Sequence, residues 1–158
     1  MDLTKLSTSD KVIAVSGILL FIPISFLDWF AASAKGIPGA GSSGGNAWDF
    51  TLTWLAVLIG IAMVVLVALK LFEVKLPDVG GSSWGAILLG MGAVAFAFVV
   101  IKTIAGVSVP EGAEDIIDIS RKIGLFLGLV ATAGLAAGGY MRLQEEKTGG
   151  GATPPPTA

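Results

Sequence analysis

The sequence predicts an all-α integral membrane protein, a four-helix bundle with a disordered C-terminal tail. Three observations lead there. Of the 158 residues, 54% are hydrophobic and only 14% charged, where a soluble domain carries roughly 25% charged residues. Four unbroken apolar runs of 18 to 20 residues punctuate the chain, at Val12–Phe30, Phe50–Leu69, Trp84–Ile101 and Ile123–Tyr140. Beyond Tyr140 the composition turns polar and rich in Gly and Pro.

Residues 1–11 form a short polar lead with Lys5 and Lys11. The first run reads as a spanning helix, because a helix gains about 1.5 Å per residue and needs about 20 apolar residues to cross a hydrocarbon core near 30 Å. Its end, "FIPISFLDWFAAS", brings Asp28 against Trp29 and Phe30. Trp favours the headgroup zone, so Asp28 is expected at the interface, with Trp48 and Trp54 marking the same level on the second run. The "AASA" at 31–34 resembles a signal-peptidase site. Yet the run is long for a signal sequence and contains Pro23, so it reads as a retained helix.

The linker "KGIPGAGSSGGN" at 35–46 has the Gly, Ser and Pro content of mobile turns rather than a packed module. It lacks the Gly-Lys-Ser/Thr ending and soluble helix of a phosphate-binding loop. The second run ends at Lys70, which reads as a snorkelling lysine. The third ends at Lys102, 18 residues beyond Trp84 and therefore level with Asp28, which makes Asp28 and Lys102 a candidate polar pair. The competing expectation is that Asp28 is solvated and Lys102 snorkels.

In "VPEGAEDIIDISRK" helical spacing would gather Glu111, Glu114, Asp115 and Asp118 on one face, with Ile116, Ile117, Ile119 and Ile123 opposite. A short amphipathic surface helix is expected, without the ligand spacing of a calcium loop. The fourth run carries "GLFLG" and "GLAAG", and at 100° per residue Gly124, Gly128, Ala131 and Gly138 form one narrow candidate helix-packing stripe. Such a stripe serves either packing within the chain or a dimer seam. Residues 142–158 are too polar to fold alone and are expected to be a disordered tail.

Charges set the expected orientation. Lys5, Lys11, Lys70, Lys75, Arg142 and Lys147 fall on one side, and Lys35, Lys102, Arg121 and Lys122 on the other, so the positive-inside bias places both termini in the cytoplasm of a multi-pass plasma-membrane protein.

Chemistry is constrained by what is missing. There is no Cys and no His, which removes thiol nucleophiles, disulfides, the usual zinc and haem ligands and the commonest general base. No catalytic, metal-binding or cofactor-binding residue stands out, and no cofactor is expected. With a net charge of −2, nucleic acid is not an expected partner.

The segments "MDLTKLSTSDKVIAVSGILLFI", "ALKLF" with "VKLP", and "IGLFLGLVATAGLAAGGYMRLQEE" resemble a group of small, uncharacterised four-helix integral membrane proteins of actinobacteria. The resemblance implies the same architecture and a plasma-membrane location, and it brings no activity. The expected function is therefore a non-enzymatic membrane protein acting by helix association, within the membrane or in an envelope complex. Its expected partners are the lipid bilayer and either a second copy or other membrane proteins. The alternative is a small transporter or channel subunit.

Overall fold

The computed structural model describes residues 6–22, 24–37, 42–72, 74, 80–109 and 111–149. Residues 1–5, Pro23, Lys75 and 150–158 lie outside the described residues, so the expectations placed on them are not addressed by it.

Four helices carry most of the chain: α1 (Thr8–Phe21), α2 (Thr51–Leu71), α3 (Trp84–Ala105) and α4 (Ile123–Gly149). The segments Thr8–Phe26, Thr51–Lys70, Trp84–Ala105 and Ile123–Gly149 are long and apolar enough to cross a membrane. They pack in a cycle, α1 on α2, α2 on α3, α3 on α4 and α4 on α1. Their interior holds Ile13, Leu20, Val57, Met63, Val99 and Leu135, all fully buried. Outward they present Val15, Ile18, Val65, Val94, Phe126 and Val130, each at least 40% exposed. Apolar faces of that extent suit lipid better than water.

The α3–α4 seam is the closest. A Cβ on Gly92 would lie 2.7 Å from the Ala136 backbone, and one on Gly139 would lie 2.6 Å from that of Leu89. Each helix thus presents bare backbone where the other passes, which is how van der Waals packing substitutes for the hydrophobic effect in lipid.

Four expectations require correction. The fold is not all-α, because three short strands, β1 (Phe30–Ala34), β2 (Ser43–Gly45) and β3 (Ile117–Arg121), form an antiparallel sheet in the order β2-β1-β3. The first span is not helical to Phe30. Helix α1 stops at Phe21, Ser25 Oγ donates to the Phe21 carbonyl, and a 3₁₀ turn at Ile24–Phe26 leads into β1. The linker at 35–46 contributes β2, so it is partly a packed element. The stretch expected as an amphipathic helix contains β3 instead. Alternation decided it: Ile117 and Ile119 pair with Ala34 and Ala32 of β1, and a half-buried edge favours β-branched residues.

The tail departs as well. Residues 142–149, expected to be disordered, continue α4. Arg142 Nε donates to Glu146 at 3.1 Å and Gln144 Nε2 to Tyr140 Oη at 2.9 Å, the i,i+4 contacts that support exposed helix.

Candidate functional site at the sheet end

The chain gathers its polar groups at two ends. At the terminal end lie the start of α1 and the end of α4; at the opposite, sheet end lie the start of α2, the end of α3 and the three strands.

At the terminal end, Ser7 caps α1 with a reciprocal box: Asp10 N donates to Ser7 Oγ at 3.3 Å and Ser7 N to Asp10 Oδ2 at 3.2 Å. The same Asp10 oxygen receives Lys70 Nζ from α2. Asp10 is 2% exposed on its side chain and Lys70 34%. Lys70 therefore does not simply snorkel, as expected from sequence; it ends on a buried carboxylate. Ser9 Oγ donates to Glu145 at 2.7 Å, and Gly85 N, at the start of α3, donates to Glu146 at 2.9 Å. Arg142 sits between those acids, at 3.7 Å from Glu145 and 3.1 Å from Glu146. All four helices are tied by charge-assisted hydrogen bonds, and each buried charge has its partner. Sequence reasoning missed this network. The signal was present in Asp10 and Lys70 flanking apolar runs that end on the same side.

At the sheet end, β1 runs through the centre. Trp29, just before it, is fully buried within the chain. Its Nε1 donates to the Ile24 carbonyl at 2.9 Å and its N–H to Gly45 at 2.8 Å. The small-residue stripe of α4 makes room for it. A Cβ on Gly124 would lie 2.7 Å from Trp29 Cδ1, and one on Gly128 would lie 2.6 Å from Cη2. Farther along, a Cβ on Gly138 would meet Ile13 at 2.6 Å, and Ala131 is buried. All four stripe residues thus face the chain's own interior.

Asp28 and Lys102, the candidate polar pair, are not brought together: among the described residues there is no ion pair between them. Asp28 is exposed, with its carboxylate over Gly44 of β2 and its carbonyl accepting from Gly124 N at 3.2 Å. Lys102 turns onto aromatic faces, with Nζ 4.4 Å from the Phe50 centroid and 5.6 Å from that of Phe30. Those rings meet edge to face at 5.2 Å. A cation over two ring faces is an attractive arrangement.

Around these rings the surface is grooved. One hollow of about 310 Å³ runs over Phe30, Ala32, Gly44, Asp49, Phe50 and Ile119, and another of about 300 Å³ lies between Asp49 and Lys102. Asp49 is engaged by Asn46 N at 2.7 Å, and Arg121 Nε donates to the Thr103 carbonyl at 3.1 Å. Lys35 Nζ donates to the Glu114 carbonyl at 2.7 Å. The acids Glu111, Glu114, Asp115 and Asp118 do not converge; among the described residues no three Asp or Glu side chains could hold a metal ion.

The chain matches no protein-family model and no curated protein. What the sheet end offers chemically is shape, an aromatic groove carrying Asp49 and Lys102, and sheet edges that are unpaired among the described residues, all held on a helical core fastened at the other end.

Proposed function

We propose that this is a non-enzymatic integral membrane protein of the plasma membrane that acts by association, presenting its sheet end as a docking platform outside the cell while both termini face the cytoplasm. The observation that carries this reading is the three-stranded sheet, anchored by buried Trp29 and ending in strand edges that are unpaired among the described residues. Open edges are a recognised means of pairing with another chain. The six-to-four basic count supports the orientation.

The helical interior supports association over transport. Between the two polar ends it is filled by Leu20, Val57, Met63 and Leu135, and the buried Thr132 hydroxyl donates back to the Gly128 carbonyl at 2.8 Å. A transport path would need polar groups aimed inward near mid-depth.

Photo-reactive residues placed singly at Ser43, Asp118 and, on the lipid-facing side, Val65 test the reading in native membranes. Protein adducts are expected at Ser43 and Asp118 and lipid adducts at Val65. Solute flux through proteoliposomes of the purified chain, or protein adducts absent from the sheet end, would overturn it.

A further inference from the structure

Strand β3 has one side committed and, among the described residues, one side open. The bonds from Lys122 N to the Trp29 carbonyl and from Lys35 N to the Ile116 carbonyl fix the parity. In the β1–β3 register, Ala31 lies opposite Ser120 and Ser33 opposite Asp118. Even-numbered residues of β3 therefore exchange bonds with β1, and the backbone groups of Ile117, Ile119 and Arg121 point the other way. Ile117 N is already satisfied by the Ala113 carbonyl at 3.0 Å. Among the described residues the Ile117 carbonyl, both Ile119 groups and both Arg121 groups have no backbone partner.

We propose that this edge is a homodimer seam, in which β3 of two copies pair antiparallel about a two-fold axis through Ile119. The proposal rests on the association reading above and names its partner, a second copy of this chain. The hydrogen-bond pattern is self-complementary. With Ile119 opposite Ile119 of the second copy, the two exchange both bonds, and Arg121 N–H of each copy reaches the Ile117 carbonyl of the other. Every open donor on the edge finds an acceptor, and the missing donor at Ile117 N is the one already used within the chain. Closed two-fold symmetry requires such an isologous arrangement.

Side chains select the same register. Asp118 comes opposite Ser120 of the second copy, with Lys122 of that copy on one diagonal and Asp118 on the other, so a lysine lies within reach of each carboxylate and no two carboxylates are directly opposed. A centre at Asp118 would oppose two carboxylates and turn the wrong backbone groups inward. The axis is also compatible with a shared membrane. Strand β3 leads into α4, whose Ile123, Phe126 and Val130 are 67%, 52% and 70% exposed, so an apolar helix face continues below the edge.

The chain has no cysteine of its own, which makes the register directly testable. Positions 118 and 120 would form a non-hydrogen-bonded pair across the seam, with Cα atoms about 4.5 Å apart, inside the range a disulfide spans. Full-length Asp118→Cys and Ser120→Cys chains are reconstituted in liposomes, separately and mixed, under mild oxidation. A disulfide dimer is expected in the mixture, with several-fold less from either variant alone. Equal dimer from Asp118→Cys alone, or none in the mixture, overturns the proposal.

A second pair of variants reads the seam without oxidation. Ser120→Asp opposes carboxylates twice across the axis and is expected to weaken dimerisation on the order of tenfold, whereas Ser120→Lys opposes Asp118 and is expected to preserve or tighten it. Equal dimerisation of the two overturns the seam. A lysine-reactive crosslinker on the unsubstituted chain separates the two ideas: self-association that persists while the 118/120 tests fail removes this seam and leaves the association reading standing. No association by any of these measures, together with no protein adducts at the sheet end in native membranes, removes both.

Discussion

At Gly128 a single added carbon has no room, because Trp29 Cη2 would lie 2.6 Å from it. Real Cβ atoms do not approach that closely, and the indole, pinned by its bond to Ile24, cannot swing away. Gly128→Ala is therefore expected to destabilise the protein by about 1–3 kcal/mol, the usual cost of overpacking. Thermal unfolding in detergent or bilayer measures it. Paired with Trp29→Leu, the loss should fall below the sum of the single changes, since the clash leaves with the ring. Additive losses would show that the two residues do not touch. Asp28 makes the opposite case. Its side chain is exposed and unpaired with Lys102, so Asp28→Asn is expected to change stability by no more than about 0.5 kcal/mol. The Gly spacing on α4 was legible in the sequence as a packing stripe; that its first half receives Trp29 was not, because a tryptophan beside an acid at a helix end reads as an interfacial anchor.

At the scale of elements, the ends of the helices hold the fold together. Asp10 on α1 is buried and Lys70 on α2 is one-third exposed, so the two sides of their pair should respond unequally to substitution. Lys70→Met leaves a buried carboxylate without its counter-ion and is expected to cost about 3–5 kcal/mol, the range seen when a buried pair is broken. Asp10→Asn keeps a capping oxygen for Ser7 N and leaves a lysine that can reach water, and should cost clearly less. Equal losses would mean that the pair is not desolvated on the Asp10 side. The strands follow different physics. Each is five residues or fewer and would not persist alone in water; β1 holds because it is paired on both sides and because Trp29 beside it is buried.

For the molecule as a whole, the proposed orientation gives a sharp labelling contrast. Ser43→Cys lies on β2 at the sheet end and Thr148→Cys on the last turn of α4, and both positions are exposed. On intact cells an impermeant thiol reagent should modify the first and reach the second only after permeabilisation. The reverse pattern would invert the protein in the membrane, and equal labelling would break the four-span topology.

The sequence by itself determined that four segments are long and apolar enough to cross a membrane and where three of them begin, because run length against bilayer thickness is a local property that needs no knowledge of neighbours. It also marked the small-residue faces on which a helix can be approached closely. Only the tertiary structure decided that "FAASA" and "IDISR" are strands, since a strand of five residues is stable only through the partner it pairs with. It alone decided that α4 continues past Tyr140, because Glu145 and Glu146 there meet Ser9 and the start of α3. It alone also decided that Lys102 rests on Phe30 and Phe50 rather than on Asp28, because the depth of a charge follows from its helix but its partner depends on which face of that helix the neighbouring chain covers.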